Sequence, residues 1–526
     1  MYKLHKRLGQ KRRKYFFTKS FSKKNLSYGL YGAKIEVSFL WRFFMNKFLK
    51  FLGFDGTKTT VKTEIIAGVT TFMTMVYILM VNAGMFSQPW VGTSYGAAYI
   101  ATAIGAIVGT LLMAFLAKMP LAQAPGMGVN AFIVYTLLLN GTGLTFANCM
   151  MFTLLDGAIF VILTVTGLRK QIFEAIPASV RHAIGVGIGL FIAFIGMQNA
   201  GIIVNDNSTL VTFVSFNLLN LGKGNHMVTY VNGTVGGMLP AVVAIFGVML
   251  VAILEHKKVK GSILWGILGS TVLFYIALGL GVAMGSETCK NIFAGISLNN
   301  PFTAFGDWGK QAVGKVFTEG FNFSGYTGTT GGLILLIATT ALSLCMIDMF
   351  DTIGTLYGAC AKGDLLDENG APINMNRCML SDAIATCVGA IGGTSTVTTF
   401  VESTSGVAAG GKSGLTALVT ACCFILAMFL SPIAQLVPSC ATAAALIWVG
   451  VLMMTNVLKI DWSNTIEAVV GFFTFIVMLL GYSISKGIGM GILVYIFLNL
   501  CTGKVKDIKA STWVIGVIYL ATFLLT

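Results

Sequence analysis

The chain of 526 residues is long enough for three or four soluble domains, but its composition excludes that organisation. Hydrophobic residues make up 56% of the chain and charged residues only 10%, whereas about a quarter of the residues of a soluble protein are charged. A lipid bilayer is therefore the expected partner of most of its surface, and the net charge of +15 does not predict nucleic-acid binding.

The positive charge is concentrated at the N-terminus. Residues 1–50 contain 14 Lys or Arg and a single acid, Glu36, so 13 of the 15 net positive charges lie there. We predict that residues 1–60 form a basic cytoplasmic segment that helps to orient the first span. The run Lys11–Lys14 has no apolar stretch after it and is not a secretory signal. A start at Met45 is the alternative, in which case residues 1–44 lie outside the native chain.

Cysteine and histidine form no metal-ligand or redox pattern. The ten cysteines include no CxxC pair and lie mostly within apolar runs, where we expect small buried hydrophobes. The four histidines have no ligand spacing: His5, His182, His226 and His256. We therefore expect neither a metal site nor a bound cofactor.

A membrane-spanning helix needs about 20 mainly apolar residues, and fourteen segments approach this requirement. In the first half they lie near 65–85, 98–117, 125–140, 148–167, 182–199, 236–254 and 262–283. In the second half they lie near 333–357, 378–392, 397–409, 414–430, 436–456, 465–482 and 485–502. A further apolar segment at 511–526 either crosses the membrane or lies at its interface.

The order of these segments predicts an inverted repeat. An extramembrane loop, 290–332, separates seven spans in residues 61–289 from seven spans in residues 333–510. Because seven is odd, the second set enters the membrane upside down, as in many secondary transporters. Lys and Arg are concentrated in the loops that this arrangement places in the cytoplasm, together with both chain ends. The predicted fold is an all-α, multi-pass protein of the plasma or inner membrane.

The third span of each half, span 3 and span 10, is interrupted. Pro125 and Gly126 break the apolar run of span 3, and a stretch rich in Thr and Val, 394–399, precedes the helical pattern of span 10. β-Branched residues favour a short strand, and irregular backbone at membrane depth is tolerated only beside protein or a watery cavity. We predict two half-strand, half-helix spans that cross near the midplane at the substrate site. The alternative is that the glycines only permit close helix packing.

Acidic residues within the predicted spans each cost roughly 2.5–3.5 kcal/mol at a helix centre. Five are predicted at membrane depth: Asp156, Asp348, Asp351, Asp382 and Glu402. Asp348 and Asp351 share a helix face, and Glu402 follows the predicted strand of span 10. If these carboxylates converge, mutual repulsion makes one of them take up and release a proton near neutral pH, and their oxygens accept the N–H groups of a planar heterocycle. Packing or interfacial roles are favoured for Asp156 and Asp382.

Each of these assignments has a structural alternative. Glu402 can cap a broken helix, Asp351 can form an interhelical hydrogen bond, and Asp348 can merely support its neighbour. Asn130, in the opposing broken span, either holds the substrate edge or satisfies unwound backbone. Several aromatic side chains are able to stack on a planar ligand: Phe72, Tyr77, Phe132, Phe350 and Phe400.

Five motifs, in order along the chain, resemble the azaguanine-type purine permeases, a branch of the nucleobase:cation symporter-2 family. They are Thr59–Phe72, Ala124–Phe132, Asp348–Leu356, Thr394–Ser403 and Gly406–Leu415. The resemblance extends over about residues 50–510 and leaves the basic tail outside.

The resemblance implies fourteen spans in two inverted halves, with a core domain that carries the site and a gate domain beside it. It implies import of hypoxanthine, guanine or adenine coupled to H⁺, with Na⁺ as the alternative ion, and a homodimer as the family-level assembly. In related carriers, acidic or amide residues of spans 8 and 10 hold the base, and these positions are Asp351 and Glu402 here. The uracil carrier has a histidine where this chain has Thr355, which moves proton coupling to Asp351 and Asp348. Supporting positions are Thr355, Thr399, Phe350 and Phe400.

The residues fit three other functions less well than purine import. A uracil, xanthine or anion carrier of the same architecture is the nearest, but an anion carrier needs a positive site whereas this cavity is acidic. For a membrane enzyme, the chain lacks a credible nucleophile–base pair, a histidine cluster and a nucleotide loop. A channel more often has repeated polar rings between subunits. The sequence therefore predicts a transporter and no enzymatic activity.

Overall fold

The computed structural model describes residues 46–139, 143–167, 176–217, 226–231, 234–295, 300–368 and 371–525. It divides into two units, Met1–Gly53 and Phe54–Thr526. In the first unit, residues 46–51 are helical. Most of the predicted basic segment, with the alternative start at Met45, lies outside the described residues. The fold and the site below concern the second unit.

Eight helices form the first half of this unit. They are α1 Val61–Met75, α2 Tyr77–Phe86, α3 Tyr95–Leu112, α4 Met127–Ala131, α5 Phe146–Thr166, α6 Ala178–Asn199, α7 Met238–His256 and α8 Ser262–Ala283. α1 and α2 are separated only by Val76 and together supply the first predicted span. α3 and α4 continue as wider π-helical turns over Met113–Ala117 and Phe132–Leu138.

The second half begins after three short helices, α9 Glu287–Ala294, α10 Pro301–Gln311 and α11 Lys315–Thr318. Its helices are α12 Thr330–Lys362, α13 Met375–Gly392, α14 Ser403–Ala408, α15 Gly414–Met428, α16 Ser431–Ala434, α17 Ser439–Met453, α18 Thr465–Leu480, α19 Ile484–Cys501 and α20 Ala510–Leu525. α12 has 33 residues and is longer than predicted. Short 3₁₀ turns follow α17 and α19 at Met454–Lys459 and Val505–Asp507.

The helices confirm a multi-pass membrane protein. Over the described ranges, nine helical stretches are long and apolar enough to cross a membrane, and four shorter ones are also apolar. The described helices do not by themselves fix fourteen spans, which stays a prediction. α20, which contains most of the predicted C-terminal segment, is one of the shorter helices, and whether it crosses the membrane also stays open.

Two short strands cross between the halves, as the interrupted spans predict. β1, Gln123–Pro125, pairs antiparallel with β6, Val397–Thr399, and each strand is followed by a helix. In the register, Gln123 lies opposite Thr399 and Pro125 opposite Val397. This confirms the half-strand, half-helix prediction for spans 3 and 10.

The two strands are anchored in the same way, which is direct evidence of the inverted repeat. Thr110 of α3 donates its hydroxyl to the carbonyl oxygen of Gln123 and accepts the backbone N–H of the same residue, both at 3.1 Å. Thr386 of α13 makes the same two bonds with Val397, at 3.3 and 3.1 Å. In each half, the second membrane helix therefore provides hydrogen-bond partners for the strand of the same half. The buried backbone groups of such a strand need partners within the protein.

A second link between the halves lies at the start of α15. Glu64 of α1 is completely buried and accepts the backbone N–H groups of Lys412 and Thr416, at 2.9 and 3.2 Å, and the Thr416 hydroxyl at 2.5 Å. A carboxylate at a helix N-terminus satisfies N–H groups that have no partner within the helix and lies at the positive end of its dipole. α1 is thereby fastened to α15.

Two β-hairpins between α6 and α7 were not predicted, so the all-α class describes the helices that carry the spans but not this connection. β2 Ile203–Asp206 pairs with β3 Leu210–Phe213, and β4 Thr229–Val231 pairs with β5 Thr234–Gly236. In the first hairpin, Asp206 accepts the backbone N–H groups of Ser208 and Thr209 and their hydroxyls. These bonds hold the pKa of the Asp206 carboxyl well below its usual range.

Candidate binding site at the strand crossing

The side chains of β6 alternate between two faces. On one face, the Val397 side chain lies against Gly109 of α3 and Gly389 of α13, where an added Cβ would come within 2.8 and 2.9 Å of its methyl carbons. These two glycines therefore let the helices approach the strand. Thr398 lies on the other face, towards Gly126 and Asp351. The crossing thus has a packed side and a side that faces the predicted carboxylates.

A buried polar cluster holds the packed side together. The Asp382 carboxylate of α13 accepts hydrogen bonds from Gln123 of β1, from Thr352 of α12 and, at 3.1 Å, from Thr399 of β6. One acid therefore connects both strands to the helix that carries Asp351. The packing role favoured for Asp382 agrees with these contacts.

Glu402 lies on the turn between β6 and α14, where it is 7% exposed. Its Oε1 accepts the hydroxyl of Tyr77, a fully buried residue at the start of α2, at 2.6 Å. Its Oε2 is buried and has no hydrogen-bond partner among the described residues. Tyr77 therefore orients the carboxylate and leaves the second oxygen able to accept a donor.

Asp351 is brought into the same region from α12. It interacts electrostatically with both Glu402 and Tyr77, and its Oδ2 lies near Gly126. The structure thus brings together side chains of the first, eighth and tenth predicted spans at the strand crossing. Asp348, one turn earlier, is fully buried, and the described contacts do not place it against Glu402.

Asn130 lies in α4, next to the crossing. Its amide oxygen accepts the Ser395 hydroxyl, which joins the two interrupted segments, and its amide nitrogen has no partner within the described part of the chain. The sequence offers two roles for Asn130, binding the substrate edge or satisfying unwound backbone. The amide oxygen instead accepts from a side chain of the second interrupted segment. The amide nitrogen remains able to donate to a ligand.

The supporting positions differ in their surroundings. Thr399 lies on the packed side, bonded to Asp382. Thr355 is buried one turn after Asp351, and Phe400 is buried at the end of β6. Phe350 is partly exposed on α12. Their roles towards a ligand stay predictions.

The sequence does not predict the contacts of four polar residues, three at the crossing and one at the link between α1 and α15. Tyr77 is expected only to stack on a ligand, and no role is predicted for Gln123, Thr352 or Glu64. Gln123 and Thr352 share one signal, a polar side chain beside a motif residue at membrane depth. Glu64 lies too close to the end of a predicted span for its burial to be inferred.

The arrangement suits hydrogen bonding to a small, uncharged ligand with several N–H groups. Two carboxylates converge, the phenol orients one of them, and an amide donor lies nearby. Carboxylates accept but do not donate when ionised, so they select ligands that present N–H groups. In the described ranges, no group of three or more His, Cys, Asp or Glu is arranged to hold a metal ion.

Comparison with known proteins agrees with this chemistry. A family model described as "Permease family" matches residues 62–490. The guanine/hypoxanthine permease PbuO of Bacillus subtilis is 36% identical over 465 residues, which cover 88% of this chain and 97% of PbuO. The adenine permease AdeQ of Escherichia coli is 32% identical over 467 residues, which cover 88% of this chain and 92% of AdeQ.

Solved structures support the inverted-repeat architecture. The transmembrane domain of the bicarbonate transporter BicA from a cyanobacterium superposes with a TM-score of 0.52 at 15% identity, over 82% of this chain and 97% of that domain. The murine anion transporter Slc26a9 in its inward-facing state superposes with a TM-score of 0.54 at 13% identity, over 86% of this chain and 71% of that protein. At this identity the likeness extends to the fold alone.

Proposed function

This chain belongs to the Permease family, and on that premise we propose that it imports purine nucleobases (hypoxanthine, guanine or adenine) by secondary active transport. Named relatives that align over most of the chain are permeases for guanine and hypoxanthine or for adenine. The site agrees with a transporter rather than an enzyme, because its buried polar side chains converge between membrane helices.

The single observation that carries the proposal is the convergence of Glu402 and Asp351 at the strand crossing, with Tyr77 bonded to Glu402 at 2.6 Å. A purine presents N–H groups at its edge, on the ring and, in guanine and adenine, on the exocyclic amino group, and carboxylate oxygens are strong acceptors for them. Glu402 Oε2 and Asp351 would bind that edge, and the Asn130 amide nitrogen would donate to a ring nitrogen or carbonyl oxygen.

Proton coupling is the part of the proposal that rests on Asp351 with Asp348. The carboxylates of Asp351 and Glu402 interact in a buried region, where two negative charges repel one another. The arrangement therefore favours one proton held within the site. Binding of a proton and a purine together would then leave the site less charged during its passage. Na⁺ is the alternative ion, and neither is a resident cofactor.

Alternating access would move the strand crossing and its helices, the core, against a gate formed by the remaining helices of each half. A ligand drives such a change only if it binds the two states with different affinity. The proposed setting is the plasma or inner membrane with the N-terminus in the cytoplasm, and a homodimer is the expected assembly.

The test is uptake of labelled hypoxanthine by cells that lack their own purine transporters. We expect saturable uptake that excess adenine or guanine inhibits and that a proton uncoupler abolishes. Cells carrying the empty vector are the control. If excess uracil or xanthine inhibits the uptake but excess adenine or guanine does not, the substrate would be reassigned. Uptake that is insensitive to the uncoupler but depends on external Na⁺ would reassign the ion.

A further inference from the structure

We infer that Thr398 of β6 is a third substrate-binding residue and that Gly126 forms the floor beside it. The inference rests on the proposed function and deepens it, because it assigns a recognition role to a neutral hydroxyl beside the two acids. The ligand is a planar heterocycle with an exocyclic oxygen or amino group.

Strand alternation decides which way Thr398 faces. Val397 packs on the glycines of α3 and α13, and Thr399 donates to Asp382, so both lie on the packed side. Thr398, between them, lies on the opposite side with Asp351. Its partner in the register is Ala124, a small residue whose side chain lies on the same side.

The Thr398 hydroxyl is buried without a partner among the described residues. The side chain is 1% exposed and its Oγ1 accepts and donates no hydrogen bond there. A buried hydroxyl that makes no bond costs about 1–3 kcal/mol in general, so such groups in native proteins call for an explanation. A ligand that bonds to Oγ1 is the explanation that also accounts for its position beside Asp351.

Gly126 has no side chain at the point where one would lie beside both Thr398 and Asp351. An added Cβ would lie 3.3 Å from Thr398 Oγ1 and 3.8 Å from Asp351 Oδ2. The backbone angles, φ −68° and ψ 125°, are allowed for any residue. Backbone conformation therefore does not require glycine at this position, but a Cβ would crowd Thr398 Oγ1, and we attribute the glycine to the approach of a flat ligand to Thr398 and Asp351.

A hydroxyl suits this position because it can reverse its polarity. It donates to an exocyclic oxygen, as in hypoxanthine and guanine, and accepts from an exocyclic amino group, as in adenine. Thr398 is thus able to bond either class, whereas the two carboxylates bind only N–H groups. The two acids would then recognise the N–H groups of the ligand, and Thr398 would bond to either an exocyclic oxygen or an exocyclic amino group.

The decisive variant is Thr398→Val, which keeps the shape and β-propensity of the side chain and removes the hydroxyl. We expect the KM for hypoxanthine uptake to rise about 3- to 10-fold, the usual effect of losing one neutral hydrogen bond, with little change in maximal rate. Thr398→Ser, which retains the hydroxyl, should keep the wild-type KM. The amount of each variant in the membrane is measured by immunoblot, and Thr398→Ala replaces the Val variant if that amount falls.

Thr394→Val is the matched control. Thr394 is also a buried threonine whose hydroxyl has no partner among the described residues, but its methyl lies towards Gly105 and Gly389 on the packed side. Its substitution should leave the KM unchanged. Gly126→Ala tests the floor independently and should lower uptake at least as much as Thr398→Val at a wild-type amount of protein.

The outcomes separate this inference from the proposed function. If the wild-type chain imports hypoxanthine but Thr398→Val and Gly126→Ala keep its KM, Thr398 and Gly126 do not contact the substrate and the inference is wrong. The same conclusion follows if Thr394→Val raises the KM as much as Thr398→Val. If the wild-type chain imports no purine, the proposed function fails first and the inference falls with it.

Discussion

The hydroxyl of Tyr77 donates a 2.6 Å hydrogen bond to Glu402 Oε1, and this bond joins the first membrane segment of one half to the interrupted segment of the other. Both side chains are buried. The bond fixes one carboxylate oxygen and leaves Oε2 without a partner among the described residues. A carboxylate held in this way has a defined direction for the next donor, which favours binding because less side-chain entropy is lost on ligand capture.

We predict that Glu402→Gln loses most purine uptake while the protein reaches the membrane in normal amount. The amide oxygen can still accept from Tyr77, but an NH₂ group then replaces Oε2 and faces the N–H groups of the ligand. Loss of a charge-assisted hydrogen bond, at about 1.5–3 kcal/mol, corresponds to roughly a 10- to 150-fold weaker affinity.

The control for this variant is Glu287→Gln. Glu287 lies in α9 and forms an exposed pair with Lys290, and such pairs contribute little. Its substitution should leave uptake intact. Normal hypoxanthine uptake by Glu402→Gln would remove Glu402 from the binding site.

Tyr77→Phe should weaken binding less than Glu402→Gln. The phenylalanine keeps the packing of the ring but leaves Glu402 Oε1 without its donor, so the carboxylate loses orientation rather than charge. We expect a KM about 3- to 10-fold higher for loss of one hydrogen bond. Uptake kinetics of both single variants and of the double variant measure this, and the double variant should be no worse than Glu402→Gln alone. Additive losses would show that Tyr77 acts independently of Glu402.

Asp351→Asn should separate binding from ion coupling. The amide cannot take up and release a proton near neutral pH, so we expect residual hypoxanthine exchange across the membrane with loss of gradient-driven accumulation. Counterflow and net uptake, measured on the same vesicles, distinguish these two activities. Asp364→Asn, at a side chain 94% exposed just after α12, is the control. Full accumulation by Asp351→Asn at the wild-type pH dependence would transfer coupling to another group.

Asp382→Asn should lower stability as well as transport. Its carboxylate accepts from Gln123, Thr352 and Thr399, and an amide leaves at least one of these buried donors without an acceptor. We expect a loss of about 1–3 kcal/mol in the free energy of unfolding, visible as a lower midpoint of thermal unfolding in detergent. An unchanged midpoint would mean that the cluster does not hold the crossing together.

The sequence predicts the strand crossing well because its signals are local. Pro125, Gly126 and the run of threonines after Gly393 are each unfavourable in a continuous helix, and they occur at corresponding places in the two halves. The predicted multi-pass fold and its inverted repeat follow from apolar length and from an odd number of segments per half. Both predictions depend only on residues that are close together in the chain and on the order of the segments along it.

The partners of the site residues were harder to predict. Tyr77 and Glu402 are 325 positions apart, and nothing near either residue specifies the other. Glu64 and Thr416 are as distant and were not paired from sequence. The β-hairpins after α6 have strands of only three or four residues, too short for a reliable alternating pattern. The carboxylates were found from the sequence because charge at membrane depth is rare.

The most direct test of the account uses the purified full-length chain in proteoliposomes with an imposed pH gradient, alkaline inside. We expect the wild-type protein to accumulate labelled hypoxanthine above the external concentration, to lose accumulation when the gradient is collapsed, and to be inhibited by adenine or guanine. Glu402→Gln in the same vesicles should accumulate little. Wild-type vesicles that take up no more hypoxanthine, guanine or adenine than protein-free vesicles would contradict purine transport, and equal accumulation by Glu402→Gln would contradict the site.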